Sequence, residues 1–274
     1  MPDPLALVSS APDAAIRTAA PHPALAALVQ AYVQITGRVG GVVPVSAVPS
    51  AFLFVTWGEP VRILSASSRH LPLVSLFGLG SQAHQSEVGA GSHGFHLRLS
   101  PIGARALLAE RPAADAWHDA LPASVQRWAE ETAAAPTFHA RVALADAFWR
   151  RRVSERAVWS ASASALIQRS GGLLSVTRLA YELGVSPRTL RRRFVDDVGA
   201  GIKTYAQLER HRQTHNFLLR APGATWRDAC ERFGYADQAH FVRSFQRFTG
   251  TSPTRWTANG YVLDFGFGLA SDGA

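Results

Sequence analysis

The side chains best suited to chemistry fall in one stretch of the chain, and most are arginines. In "SPRTLRRRF", Arg188, Arg191 and Arg192 surround the apolar pair Leu190 and Phe194. If the segment is a helix, Leu190 and Phe194 lie four apart on its buried face. The three arginines then point outward near its amino-terminal half. A guanidinium donates two hydrogen bonds to O6 and N7 of guanine, so the chemistry offered is base recognition in a DNA major groove. A phosphate contact or plain solvation would use the same side chains. Thr189 and Arg193 are candidates for phosphate oxygens. About fifty residues on, "YADQAHFVRSFQRF" repeats the arrangement. Burying Phe241, Phe245 and Phe248 there exposes Gln238, His240 and Arg243. Glutamine pairs with N6 and N7 of adenine, and Arg243 again suits guanine. Asp237 reads as a helix cap rather than a base contact. Lys203, Arg227, Arg247 and Arg255 complete the phosphate candidates.

A second constellation offers different chemistry. His84, Glu87, His93 and His96 have metal-ligand types, and a small β-barrel carrying two His and a Glu can bind a metal as cupins do. The alternative function is therefore a cupin-like metal-binding β-barrel enzyme with a helical appendage. Against it, His93 and His96 are three apart, which places them on opposite faces of a regular strand. Cys230 falls on the inner face of a helix and reads as a small core residue rather than a nucleophile. No Gly-rich phosphate loop or nucleophile elbow is present. The expectation is no catalytic residue, no metal, no cofactor and no enzyme activity.

The elements that must position the arginines read as two copies of one unit. Ser175 is an N-cap, Val176, Leu179, Ala180 and Leu183 make a buried face, and Gly184 ends the helix. Val185 fills the corner, and Ser186-Pro187 starts the next helix. In the second copy Thr225 is the cap, and Trp226, Ala229, Cys230 and Phe233 make the inner face. Gly234 ends that helix, and Tyr235 fills the corner. A helix, a short turn with Gly and a second helix make a helix-turn-helix. Ile202–Leu219 reads as a connecting helix, whose 18 residues span about 27 Å. That is close to the ~34 Å between neighbouring major grooves on one face of DNA.

Charge agrees with this placement. The 274 residues carry 28 basic and 20 acidic side chains, a formal charge of +8. Residues 165–260 hold 15 basic and 7 acidic residues, so the whole excess lies in this block and the remainder is neutral. That is the footprint of a polyanion-binding unit joined to a neutral one. The preponderance of arginine over a single lysine also fits a solvated surface. No apolar run approaches the ~18 residues of a membrane span, and no secretory signal is evident, so no membrane partner is expected. One cysteine excludes an intramolecular disulfide and suits a reducing cytoplasm.

Residues 163–256 resemble the paired helix-turn-helix domain of the AraC/XylS family of bacterial transcription regulators. "GYADQAHFVRSFQRFTGTSPTRW" carries the resemblance in the second unit. "LGVSPRTLRRRF" and "GIKTYAQLERHRQT" carry it in the first unit and the connecting helix. One departure is Gly201-Ile202, where a Ser-Pro pair commonly starts that helix. The resemblance implies a sequence-specific regulator of transcription bound to double-stranded DNA, with base-reading residues at Arg188, Arg191 and Arg192. In many members the second unit contacts mainly the backbone. DNA-repair relatives that join a methyl-accepting cysteine to such a domain need several cysteines, which this chain lacks. Further partners implied are a small-molecule effector, a second copy of the chain, and RNA polymerase where the regulator activates.

The rest of the chain is expected to be built differently, giving an α+β molecule overall. Residues 1–23 read as a loose arm, and Leu25, Leu28, Val29, Tyr32 and Ile35 lie at helical spacing, with a strand from Tyr32 as the alternative. Six short strands are predicted: Val42–Ala47, Ala51–Thr56, Val61–Ser65, Leu71–Gly78, Gln82–Val88 and Phe95–Ser100. They suggest a barrel or sandwich. Trp57, Phe52, Phe54, Phe77 and Phe95 are candidates either for an apolar cavity or for simple core. Helices follow over Gly103–Glu110, Ser124–Ala134 and Phe138–Ser154. Arg150, Arg151 and Arg152 read as a solvated helix end. The domains are thus 1–23, a β-rich sensory or dimerisation unit over 24–158, an all-α DNA-binding unit over 159–260, and a tail over 261–274. "FHLRLSPIGARALL" loosely resembles the amino-terminal domain of a subgroup of these regulators, which implies a sensory or dimerising role by analogy.

Overall fold

The computed structural model describes residues 15–36, 41–64, 68–108, 113–152, 158–221 and 223–255. Period-two patterning in the first half builds two antiparallel sheets. The larger runs in the order β1 (Ala15–Ala19), β2 (Val29–Thr36), β9 (Ser92–Leu99), β4 (Ala51–Gly58), β7 (Val74–Phe77) and β10 (Trp117–His118). The smaller runs β3 (Gly41–Val45), β8 (His84–Val88), β5 (Val61–Leu64) and β6 (Arg69–His70). In the central strand β9, Phe95, Leu97 and Leu99 join Tyr32, Leu53 and Val55 in a core covered by helices. Gly94 and His96 alternate with them and face the smaller sheet across an interior cavity of about 80 Å³. The β-rich unit is therefore two facing sheets enclosing a cavity.

Two expectations for the start of the chain are corrected. Residues 1–23 are not all a loose arm, because β1 pairs along its length with β2, from Ala15 opposite Thr36 to Ala19 opposite Tyr32. The helical spacing over 24–36 is also misleading. Pro23–Leu25 makes a single 3₁₀ turn and the chain then enters β2. Tyr32 under the helices and Ala31, Val33 and Ile35 on the other face are both buried. A strand buried on two faces gives a near-continuous apolar run that a helix pattern also fits. Residues 1–14 and the tail 261–274 lie outside the described residues.

The helices are α1 (Gly103–Leu108), α2 (Ala123–Ala134), α3 (Phe138–Arg150), α4 (Val158–Arg169), α5 (Val176–Glu182), α6 (Pro187–Val198), α7 (Ile202–Arg220), α8 (Trp226–Arg232) and α9 (Gln238–Thr249). Among the described residues no helix is long and apolar enough to cross a membrane. Trp128 of α2 and Trp149 of α3 meet edge to face at 5.3 Å and cover the larger sheet. Arg152 donates to the Phe148 carbonyl at 3.2 Å, closing the end of α3. Helix α4 packs on α5, α6 and α7, so it belongs with the carboxy-terminal half.

The two halves share one core, which the sequence did not suggest. The apolar cluster under the larger sheet continues through Ala163 and Ile167 to Leu190, Phe194 and Tyr205. Polar contacts stitch the same junction. The Ala47 amide donates to the Phe248 carbonyl at 2.7 Å, and the Ala114 amide to the Gly199 carbonyl at 3.2 Å. Arg105 pairs with Asp197 at 3.2 Å, and Ser160 also donates to Asp197. Phe233, Phe241 and Phe245 of the α8–α9 unit form a separate core, while Phe248 of α9 joins the shared one.

Candidate nucleic-acid interface

Both helix-turn-helix units are built by the same local devices. Ser175 caps α5 by accepting from the Arg178 amide at 3.1 Å, and Ser186 caps α6 from the Thr189 amide at 3.1 Å, with Pro187 at the first helical position. Thr225 and Asp228 form a reciprocal capping box on α8, and Asp237 caps α9 from the His240 amide at 2.6 Å. These satisfy amides that a helix start otherwise leaves open. Each first helix ends on a left-handed glycine, Gly184 or Gly234, both at φ +64°. The corner residue then bonds back into the helix, Val185 to the Ala180 carbonyl and Tyr235 to the Cys230 carbonyl. Two turns with the same left-handed glycine and the same back-bonded corner, fifty residues apart, make the duplication structural as well as sequential. The second turn is one residue longer before its cap.

The caps set the rotation of the following helix, and rotation decides which side chains reach outward. In α6, Leu190, Phe194 and Val198 are buried, while Arg188, Arg191, Arg192 and Arg193 are exposed. Thr189 is half-buried, and its hydroxyl lies 2.9 Å from Ser186 Oγ. In α9, Phe241, Phe245 and Phe248 are buried, and Gln238, Arg243 and Arg247 are exposed. His240 is placed differently from its neighbours. It is half-buried, its ring meets Tyr235 edge-on at 5.5 Å, and Nδ1 accepts from the Ala236 amide at 3.3 Å. Only Nε2 is left to face a base, so His240 braces the turn as well. Arg247 donates to Gln207 of α7 at 3.3 Å. Lys203, Arg227 and Arg255 are exposed at element ends.

Helix α7 holds the two units together. Its 19 residues span about 28 Å, and Gly201 starts it without a side-chain cap. Its inner face is polar in a way no spacing rule foretells. Tyr205 donates to Glu209 at 2.8 Å, and Arg212 pairs with the same fully buried carboxylate at 2.8 Å. Burial, and then Glu209, push the Tyr205 hydroxyl well above its ordinary pKa. His211 and His215 lie one turn apart against Phe245. Burial keeps both neutral, His215 with its pKa pulled down to about 4.

The metal constellation does not assemble. His84, His93 and His96 all border the interior cavity, His96 against Phe54 at 4.6 Å and His93 also beside Trp57 at 5.9 Å. Glu87 is engaged by Arg62 at 2.6 Å. Among the described residues no group of three or more His, Cys, Asp or Glu side chains can hold a metal ion. The Cys230 thiol is pushed up first by burial and then by Asp237 and Glu231, the opposite of an activated thiolate. Of the five aromatics proposed for a cavity, Phe52, Phe54 and Phe77 line it. Phe95 is core beneath the helices, and Trp57 borders a cleft on the opposite face of the sheet.

Residues 179–259 match a protein family described as a helix-turn-helix domain. The carboxy-terminal region is a helix-turn-helix domain of the AraC type. Two curated relatives, HTH-type transcriptional regulators of Mycobacterium tuberculosis and Mycobacterium bovis, are each 32% identical over 120 residues, 43% of this chain. The chain spans about a third of the length of those relatives, 34% of each. Among solved structures, ToxT from Vibrio cholerae is similar with a TM-score of 0.47 and 9% identity, over 88% of this chain and 96% of that one. The carboxy-terminal domain of AraT, a response regulator from Geobacillus stearothermophilus, is 25% identical over 39% of this chain and 88% of that one, with a TM-score of 0.36.

Proposed function

We propose that this chain is a sequence-specific DNA-binding regulator of transcription, with α6 and α9 entering neighbouring major grooves on one face of the duplex. The observation that carries the reading is the pair of helix-turn-helix units with the same left-handed glycine turn, each turning arginines outward from its second helix. Arg188, Arg191 and Arg192 read bases from α6, and Gln238, Arg243 and the Nε2 edge of His240 read them from α9. Thr189, Arg193, Lys203, Arg227, Arg247 and Arg255 hold phosphates and set the register. Selection of random duplexes by the full chain should enrich a two-part site with half-sites about one helical turn apart. Affinity should fall with salt at a log–log slope of about −0.9 per phosphate contact. Enrichment of no sequence, or a salt-independent affinity, contradicts the reading.

The β-rich unit is the sensor in this proposal. Its interior cavity is lined by Phe52, Phe54, Ile63 and Trp117, and among the described residues no Asp, Glu, Lys or Arg side chain lines it. Burial keeps His96 neutral there, with its pKa pulled down to about 3. An uncharged apolar small molecule suits such a wall. The same unit joins two copies of the chain, and RNA polymerase is the further partner where the bound regulator activates. Sedimentation of the full chain at micromolar concentration tests self-association, and a monomer under all conditions removes that part.

A further inference from the structure

A second cleft lies on the opposite face of the larger sheet, between β1, β2 and β4 and the α2–α3 turn, with a volume of about 380 Å³. Its chemistry differs from that of the interior cavity. Two arginines line it, Arg17 from β1 and Arg141 from α3, and no acidic side chain among the described residues does. Arg141 is only 8% exposed, yet every hydrogen bond it makes is to a neutral oxygen. Nε donates to the Thr132 carbonyl at 3.1 Å, one terminal nitrogen to Gln34 Oε1 at 2.9 Å, and the other to the Ala135 carbonyl. A guanidinium has five N–H groups, so one N–H remains on each terminal nitrogen. These two remaining donors are available to a carboxylate. The guanidinium also stacks over Trp57, 4.9 Å from the ring centre. Arg17 stands directly opposite Gln34 in the β1–β2 register, so the second cation is one cross-strand pair away. His93 lines the same cleft, and its Nδ1 is buried without a hydrogen-bond partner. Trp57, Phe138 and Pro136 supply apolar walls.

We propose that this cleft binds a small planar organic acid, its carboxylate on Arg141 and Arg17 and its apolar body against Trp57 and Phe138. The bonds to Thr132 and Ala135 clasp the carboxy-terminal end of α2 and account for two N–H groups of Arg141, and Gln34 takes a third. These bonds do not account for a buried cation facing a cleft with a second arginine and no counter-charge, an arrangement that costs free energy unless an anion visits. The cleft is distinct from the DNA-reading surface, and among the described residues His93 is the one it shares with the lining of the interior cavity.

Calorimetric titration of the full chain with 2-naphthoate tests it, with 2-naphthamide as the uncharged isostere. The expected result is one saturable site for naphthoate and binding of naphthamide weaker by about tenfold or more, because charge-assisted hydrogen bonds are lost. Arg17→Gln, at an exposed position of the edge strand β1, should weaken naphthoate by about fivefold to tenfold and leave naphthamide unchanged. Ser86→Leu, which adds carbons to the interior cavity, should change neither. Equal binding of acid and amide, no saturable site, or naphthoate binding that responds to Ser86→Leu and not to Arg17→Gln would overturn the proposal.

Discussion

At the scale of single residues, the arginines of α6 and α9 differ in what surrounds them. Arg191 projects from the exposed face one residue after buried Leu190. Arg191→Ala should cost roughly 1–3 kcal/mol on the selected site and relax preference at one or two base pairs. Arg247 is tied sideways to Gln207, as a backbone-contacting side chain would be. Arg247→Ala should weaken all duplexes alike, and coincident selection profiles for wild type and Arg191→Ala would reject the α6 assignment. Glycines at the turns act through the backbone. Gly184 is left-handed, and a Cβ there meets nothing within 4 Å, so Gly184→Ala should cost about 1–2 kcal/mol from conformation alone. Gly172 is left-handed too, but a Cβ there falls 2.0 Å from the Ala206 carbonyl. Gly172→Ala should therefore lose about 1–3 kcal/mol more in urea unfolding.

At the scale of elements, caps decide where short helices begin. α8 has seven residues and too few internal hydrogen bonds to hold itself. Its capping box joins the Asp228 amide to Thr225 Oγ1 at 3.3 Å and the Thr225 amide to Asp228 at 2.7 Å. That bonding, the Thr225 amide foremost, holds the Asp228 carboxyl below its ordinary pKa. Thr225→Ala should destabilise the second unit by about 1 kcal/mol and Thr225→Ser by much less, read by urea unfolding. These caps, and the glycine turns after α5 and α8, were legible because they depend on residues within four positions of each other. β1 and β2 were not, since their partners lie in other strands and both faces of β2 are covered. The cleft around Arg141 was equally hidden, because Gln34 is 107 positions away from it.

At the scale of the molecule, the first helix-turn-helix unit shares its core with the sheets, while the second keeps its own except for Phe248, which joins the shared core. Amides of α8 and α9 should therefore exchange with deuterium through an opening of lower free energy than those of α6. Equal protection in both units would show that the junction at Ala47 and Phe248 binds the second unit as firmly. Stability should also depend on pH in a set direction. His96 and His215 are buried, with folded pKa values of about 3 and 4 against 6.5 when free. Depressed values mean that the unfolded chain takes up protons first as pH falls. Their contribution is complete above about pH 6.5 and is lost as pH falls towards the folded values. Between about pH 7 and pH 5 each should subtract about 2 kcal/mol from the unfolding free energy. A flat profile across that interval would mean the imidazoles are not held neutral.

The sequence by itself determined the duplicated unit, its caps and turns, the buried aromatic stripe of α9 and the outward arginines of α6. Each is set by interactions within one or two turns of helix, and charge could be located by counting. Tertiary structure alone decided the pairing of β1, the cavity between the sheets, the split of Trp57 and Phe54 to opposite faces, and the bracing of His240 by the turn. It also decided that the neutral half and the basic half share a core. Such features depend on contacts between segments distant in the chain, where burial from two sides erases the periodicity that a local reading requires.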